Sequence, residues 1–373
     1  MRNVNYFAIS AAALLIVAAA ALLSGAKAEE NPPLYTNPEV AGEIIRVRDL
    51  LLNGRYDKVI IECDKAQRKY PDLLVWRFAA MLAPQARMLE LHDWSLEEDY
   101  FEGWNDIITL AKKIKRKRPL VAYDHLCLGG GLGVLGLHYA RAKRFRKTFA
   151  LGLTAMRELS RAKKADPDNN DVYLGYGIYH YYRGVLSQRL KWLPFFADDK
   201  RRGLEELDRA RKGLFGSSLA DLAELYLYKD EGKYAEGLKF TRKLRHRYPD
   251  GLLLPQLEGH FLIYLKQYEA ALKEFDPLVE ADPYNGPLHI YRGAALYYTG
   301  HIDEAGEELW TGIHLKSIPE YKAWAYYFLG EIALKKGDKS LAKKYWMEAV
   351  DTYPGNIDAK KALEKLKDDQ EAG

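Results

Sequence analysis

Gly131-Leu132-Gly133-Val134-Leu135-Gly136 satisfies the G-x-G-x-x-G pattern that cradles a dinucleotide pyrophosphate, and Glu158 follows at about the distance from which an acid reaches a ribose. That chemistry needs a strand running into the glycines and a parallel strand after them. The residues ahead, VAYDHLCLGG (121–130), have helical spacing instead. The segment therefore reads as a glycine-rich helix, with Gly129 and Gly133 on one face letting neighbours approach. The nine histidines form no H-E-x-x-H, and His125-Leu126-Cys127 lacks the other ligands of a zinc site. No G-x-S-x-G elbow is present. Glu97, Glu98 and Asp99 are adjacent, but nothing marks them as an acid–base pair. No enzyme, cofactor or metal site is expected.

The elements that carry these residues recur. Pro249 and Pro283 stand thirty-four residues apart; Gly259 answers Gly293, Tyr234 answers Tyr268, and Lys266 falls midway between Gly232 and Gly300. A further step, lengthened by about three residues, brings Gly330, Gly337, Ala342, Trp346, Ala349 and Pro354. Each period reads as two short helices. In 232–251 Gly232 ends one helix, and Tyr234, Gly237, Phe240, Thr241 and Leu244 mark one face of the next. Pro249 closes the unit, since proline cannot continue a helix interior. Gly259, Gly293 and Gly330 admit close helix approach, with Phe275 and Trp346 filling the gap opposite. One pair cannot bury its apolar face alone, so pairs must stack.

These residues make the chain resemble tetratricopeptide-repeat proteins, over 218–354 and again at GRYDKVIIECDKAQRKYPD (54–72). The resemblance implies an all-α, right-handed solenoid of stacked helix-turn-helix repeats with a C-terminal capping helix. The expected organisation is a signal peptide (1–28), an extension (29–43), a first repeat (44–75), divergent helical repeats (76–217) with an insertion at 185–200, tandem repeats (218–354), and a capping helix with tail (355–373).

With 48% hydrophobic and 29% charged residues, the 373-residue chain has the composition of an ordinary folded protein. Residues 7–23 are an uncharged apolar run after Arg2, followed by Ala26-Lys27-Ala28. This predicts a cleaved secretory signal with Glu29 as the mature N-terminus, in preference to an uncleaved anchor. No cysteine lies near enough for a lipoprotein. Cleavage would remove Arg2 and Lys27, leaving 54 basic against 52 acidic residues. The expected location is periplasmic or cell-envelope. The two cysteines, Cys63 and Cys127, fall in different helical units, and buried free thiols are expected in preference to a disulfide.

Charge is uneven. Lys112, Lys113, Lys115, Arg116, Lys117 and Arg118 precede the glycine-rich helix; Arg141, Lys143, Arg144, Arg146 and Lys147 follow it, against Asp124 alone over 111–147. An exported chain without a recognition module does not point to nucleic acid. An anionic membrane surface or an acidic partner suits the patch, beside the plainer possibility of a solvated helix face. After Gly184 the short turn is replaced by an insertion with an apolar tip, Trp192-Leu193-Pro194-Phe195-Phe196, for contact or for folding back. The run 177–210 is similar to a divergent tetratricopeptide group of bacterial envelope proteins. It is also similar to a eukaryotic outer-membrane and lipid-droplet family with an LP-containing connector.

Twenty-seven tyrosines are the telling surplus. In the family the first helix of each pair lines the concave side. Phasing on Gly177, Leu225, Gly259, Gly293 and Gly330 projects Tyr181, Tyr226, His260, Tyr264, Tyr297, Tyr298 and Tyr327 there, where tyrosine would serve as a half-polar contact surface. The carboxylate-clamp pattern that the family uses for acidic chaperone tails needs Lys and Asn; here Gln256, Ile290 and Ala294 stand instead. The sequence thus predicts a non-catalytic scaffold for a protein or peptide partner in an aromatic groove, in envelope assembly or complex organisation. A peripheral membrane protein and a polysaccharide-binding module are the alternatives.

Overall fold

The computed structural model describes residues 37–371, apart from 92–94, 142–143 and 190–198. The 7–23 run, the 26–28 motif, and Trp192, Phe195 and Phe196 lie outside the described residues. Among those described are seventeen helices and no strand. They divide into two compact units, one holding residues up to Gln85 and Leu96–Leu227, the other those of Ala86–Ser95 and Tyr228–Gly373.

The helices from the N-terminal side are α1 (Pro38–Leu52), α2 (Tyr56–Lys69), α3 (Val75–Leu91), α4 (Glu97–Lys117), α5 (Ala122–Arg141), α6 (Phe145–Ala165), α7 (Val172–Arg189), α8 (Lys200–Ala210) and α9 (Gly216–Glu231). The first begins at Pro38, where Asn37 Oδ1 accepts the Glu39 N–H at 2.9 Å as an N-cap. The G-x-G-x-x-G segment is mid-helix in α5. Its close contacts fall on three consecutive glycines. A Cβ at Gly129 would meet Leu159 of α6 at 2.9 Å, one at Gly130 would meet Phe78 of α3 at 2.9 Å, and one at Gly131 would collide with Trp104 of α4. Consecutive helical residues point about 100° apart, so the triplet lets three neighbours press on α5 from three sides. Gly133 has nothing within 4 Å of that position. The expected pairing of Gly129 with Gly133 on one packed face is corrected accordingly.

In the next pair, Gly177 on α7 and Gly203 on α8 bring the two backbones together; a Cβ on Gly203 would lie 2.5 Å from Tyr181 N. Helix α7 continues five residues past Gly184, through Val185–Arg189, so the first part of the segment expected as an insertion at 185–200 is helical. Two side chains then tie distant segments of this unit. Buried Asp171 accepts the N–H groups of Phe215 and Gly216 at 2.9 and 2.7 Å and the Tyr123 hydroxyl at 3.0 Å. Arg48 of α1 donates to Leu214 O at 2.8 Å and Ser217 Oγ at 2.7 Å. Cys63 and Cys127 are free and buried, and burial pushes the Cys63 thiol up to about 12.

The C-terminal unit continues with α10 (Tyr234–Arg245), α11 (Leu253–Tyr264), α12 (Tyr268–Ala281), α13 (Gly286–Thr299), α14 (Ile302–His314), α15 (Pro319–Lys335), α16 (Lys339–Thr352) and α17 (Ile357–Glu371). Its regularity is visible in the turns within each pair. Gly232, Lys266, Gly300 and Gly337 take φ of 72°, 60°, 91° and 86°, and Lys266 is the only non-glycine residue with positive φ among those described. Large side chains of the second helices fill the glycine notches. A Cβ at Gly259 would stand 2.5 Å from Phe275, and one at Gly293 would stand 2.8 Å from Leu309. Gly330 faces Trp346, whose indole N–H donates to Tyr327 O at 3.2 Å. The three extra residues of the last period lie within the first helix of the pair, since α15 has 17 residues and α13 has 14. Helix α17 lays Ala359 and Leu366 on the cluster around Ala342, Trp346 and Ala349, closing the stack as a cap.

Candidate functional site

The tyrosines predicted to line one surface do not share one environment. In the N-terminal unit Tyr181 is buried against Leu207 and Ala210, whereas Tyr226 is half-buried. In the C-terminal unit His260 is buried with its ring 3.9 Å from that of Tyr291, and Tyr297 is buried against Phe328. Tyr264 and Tyr327 are half-buried, and Tyr298 is 36% exposed. Burial leaves Tyr181, His260 and Tyr297 to packing, so their expected place on a contact surface is corrected. Gln256, Ile290 and Ala294 are buried too.

The accessible tyrosines are held by a repeated device. Tyr234, opening α10, stacks on Tyr264, closing α11, with centroids 4.4 Å apart and planes at 11°. One period on, Tyr268 stacks on Tyr298 at 4.3 Å and 12°. A second helix thus covers one face of each tyrosine that ends the following first helix, and so fixes the ring's orientation. Phe328 of α15 lies beneath, with its centroid 5.6 Å from Tyr298 and 5.2 Å from Tyr327.

Sequence reasoning missed the charged groups of this patch. Tyr327, Glu331 and Lys335 follow at four-residue steps on one stripe of α15. The Lys335 ammonium stands 4.1 Å from the centre of the Tyr297 ring. Burial pushes the Glu331 carboxyl above its ordinary value, against the pull of Lys335 and Lys365, and nearby Asp358 adds to the rise. Burial likewise pushes the Tyr297 hydroxyl up to about 12 and raises Tyr298 and Tyr327. The four-residue step from Tyr327 was the available signal, but it marks a stripe only after the tyrosine is known to be accessible.

The basic region separates into two groups. Lys117 pairs with Asp72 at 2.9 Å, and Arg118 pairs with buried Asp124 at 2.7 Å while also donating to Asp72 O. These two serve the fold. Lys112, Lys113, Lys115 and Arg116 are exposed on the last turns of α4 and make no ion pair with any described residue. Arg144 and Arg146 are exposed at the start of α6. Helix α4 opens on Glu97, Glu98 and Asp99 and closes on Lys115, Arg116 and Lys117, the arrangement that complements a helix dipole. Among the described residues no group of three His, Cys, Asp or Glu side chains could hold a metal ion, and His125 is bonded to Glu158 at 2.6 Å. No described helix is long and apolar enough to cross a membrane.

The fold has counterparts among solved structures. A chain of the APC/C hetero-tetramer Cut9–Hcn1 matches with a TM-score of 0.58 at 15% identity, over 90% of this chain and 57% of that one. This chain therefore spans little more than half the length of that protein. YrrB, described as a TPR protein with an unusual peptide-binding site, matches at a TM-score of 0.37 and 20% identity over 55% of this chain and 97% of its own. PilF of Pseudomonas aeruginosa matches at 0.42 and 14% over 64% and 97%. No family model matches the chain. The fold is that of the tetratricopeptide-repeat proteins, an all-α solenoid of stacked helix pairs.

Proposed function

We propose that this chain is a non-catalytic interaction scaffold, and that Tyr264, Tyr298 and Tyr327 hold a protein or peptide partner. The observation that supports this is the pair of 34-residue-spaced ring stacks, which orient Tyr264 and Tyr298 while leaving them part-exposed at the ends of successive first helices. Rigid, half-polar rings of this kind dominate many interfaces. Capture of a partner from cell-envelope extract by the full chain, followed by mass-spectrometric identification, tests the reading. Tyr298→Ala with Tyr327→Ala should abolish that capture and leave helicity intact; unchanged capture would overturn it.

The same reading places the chain outside the cytoplasm, in envelope assembly or complex organisation. Its support is the apolar 7–23 run and Ala26-Lys27-Ala28 in the sequence. An intact Met1 peptide on protein purified from membranes would count against cleavage. A second reading is favoured by Lys112, Lys113, Lys115 and Arg116, which leave a cationic helix end without carboxylate partners among the described residues. In that reading α4 docks on an anionic membrane surface, with about 1 kcal/mol at most from each basic residue. Salt-sensitive binding to anionic but not neutral liposomes supports it, and equal binding to both removes it.

A further inference from the structure

The accessible tyrosines of the C-terminal unit sit beside a carboxylate, Glu331, that no described residue pairs with. Glu331 is half-buried and makes neither a hydrogen bond nor an ion pair with any described residue. A partly desolvated carboxylate without a donor is costly, so such a group at an accessible patch is unfinished without something that donates to it. Lys335, one turn further along α15, is near enough to favour the Glu331 charge, yet its ammonium rests over the Tyr297 ring. Lys365 likewise acts on Glu331 without entering ion-pair range. The patch therefore already seats one cation on an aromatic face and keeps a carboxylate open next to it.

We infer that Glu331, with the rings of Tyr298 and Tyr327 beside it, forms the subsite for an arginine side chain of the bound peptide, an inference that rests on the peptide-binding reading above. A guanidinium is planar, so it can lie on a tyrosine face while its N–H groups reach the carboxylate in a forked pair. An aliphatic side chain would cover Glu331 and leave it without a donor. An acidic side chain would face both Glu331 and Asp358. Arginine satisfies the rings and the carboxylate together.

The test uses the full chain and two probes, acetyl-Ala-Arg-Ala-amide and the same tripeptide with citrulline, which keeps the shape of arginine without its charge. Saturation-transfer NMR should show the arginine side-chain methylenes in contact with the protein and little or no transfer to the citrulline peptide. Glu331→Gln should weaken arginine-peptide binding by about tenfold, with an unchanged thermal midpoint. Equal transfer to the two peptides, or undiminished binding by a folded Glu331→Gln, overturns the inference. Should that variant fail to fold, the arginine–citrulline comparison on the unaltered protein decides alone. The two readings fail separately. Loss of partner capture on tyrosine truncation with no arginine preference would sink this subsite and keep the scaffold. Arginine binding with capture indifferent to the tyrosines would do the reverse.

Discussion

Arg292 donates its Nε–H to Asp276 Oδ1 at 2.7 Å, across the same sixteen-residue step by which Arg242 donates to Glu258 at 2.7 Å one period earlier, with the charges exchanged. In one junction the second helix supplies the cation and the next first helix the anion; in the following junction the roles reverse. Each pair sits in a small network. Glu258 also accepts from Arg245, and Arg292 also donates to Glu308. The two carboxylates differ in burial, since the side chain of Glu258 is 3% exposed and that of Asp276 is 49% exposed. Glu258→Gln should therefore cost about 1–3 kcal/mol, because it takes the charge from a buried acceptor of two arginines. Asp276→Asn should cost under about 1 kcal/mol, as exposed pairs do. Urea denaturation of the two variants checks the order; an equal loss would show that burial does not set the strength.

The turn at Lys266 holds a side chain where its counterparts are glycines. A lysine at φ 60° carries the steric cost of the left-handed region, while glycine carries a larger entropy cost on folding. The steric term is the larger, so Lys266→Gly should stabilise by about 0.5–1 kcal/mol. Gly300→Ala, at φ 91°, should lose about 1 kcal/mol or more. Thermal denaturation of both variants should move the midpoint in opposite directions.

Two glycines of α5 two residues apart should respond in opposite ways. Gly131→Ala drives a methyl into the Trp104 ring and should cost about 1–3 kcal/mol. Gly133→Ala meets open space and should stabilise the helix by about 0.5–1 kcal/mol. If both destabilise alike, the glycine triplet is not what brings the neighbouring helices in.

Asp171 separates charge from hydrogen bonding. Burial raises its pKa, although the N–H groups of Gly216 and Phe215 and the Tyr123 hydroxyl pull the other way. A raised folded value means that the carboxyl's contribution to stability is complete below the unfolded pKa and is lost as pH rises through the folded value. Asp171→Asn keeps an acceptor for the two backbone donors without the buried charge. It should melt at or above the wild-type midpoint at pH 7, and the difference should vanish as pH falls towards about 4. Asp171→Ala orphans three donors and should lose about 1–3 kcal/mol. An Asn variant as unstable as the Ala variant would show that the charge itself holds the turn.

The parts legible in the sequence were those that a period specifies. Gly232, Lys266, Gly300 and Gly337 mark one turn position because only a few residues tolerate its backbone, and Gly259 with Phe275 or Gly330 with Trp346 are complementary in volume. Which side of a first helix stays open was less legible. Tyr297 and Tyr298 are neighbours about 100° apart on α13, and one is buried while the other is 36% exposed. The period gives their height along the helix, but what covers each flank depends on Phe328 and Lys335 of the next pair. The Arg48 contacts with Leu214 and Ser217 join residues 166 and 169 positions apart, and nothing in a local pattern encodes the curvature that brings them together.

The exchanged polarity of Arg242–Glu258 and Asp276–Arg292 bears on how the array can change in length. Identical repeats can be gained or lost by unequal recombination, because every junction accepts every neighbour. Here, excising 253–286 would bring the helix of Arg242 against that of Arg292, cation to cation. Copying the same segment in tandem would set Asp276 against a second Glu258, anion to anion. Either edit preserves the thirty-four-residue frame, yet meets repulsion at the new seam. Alternating polarity therefore acts as a parity check on the number of repeats in this part of the chain.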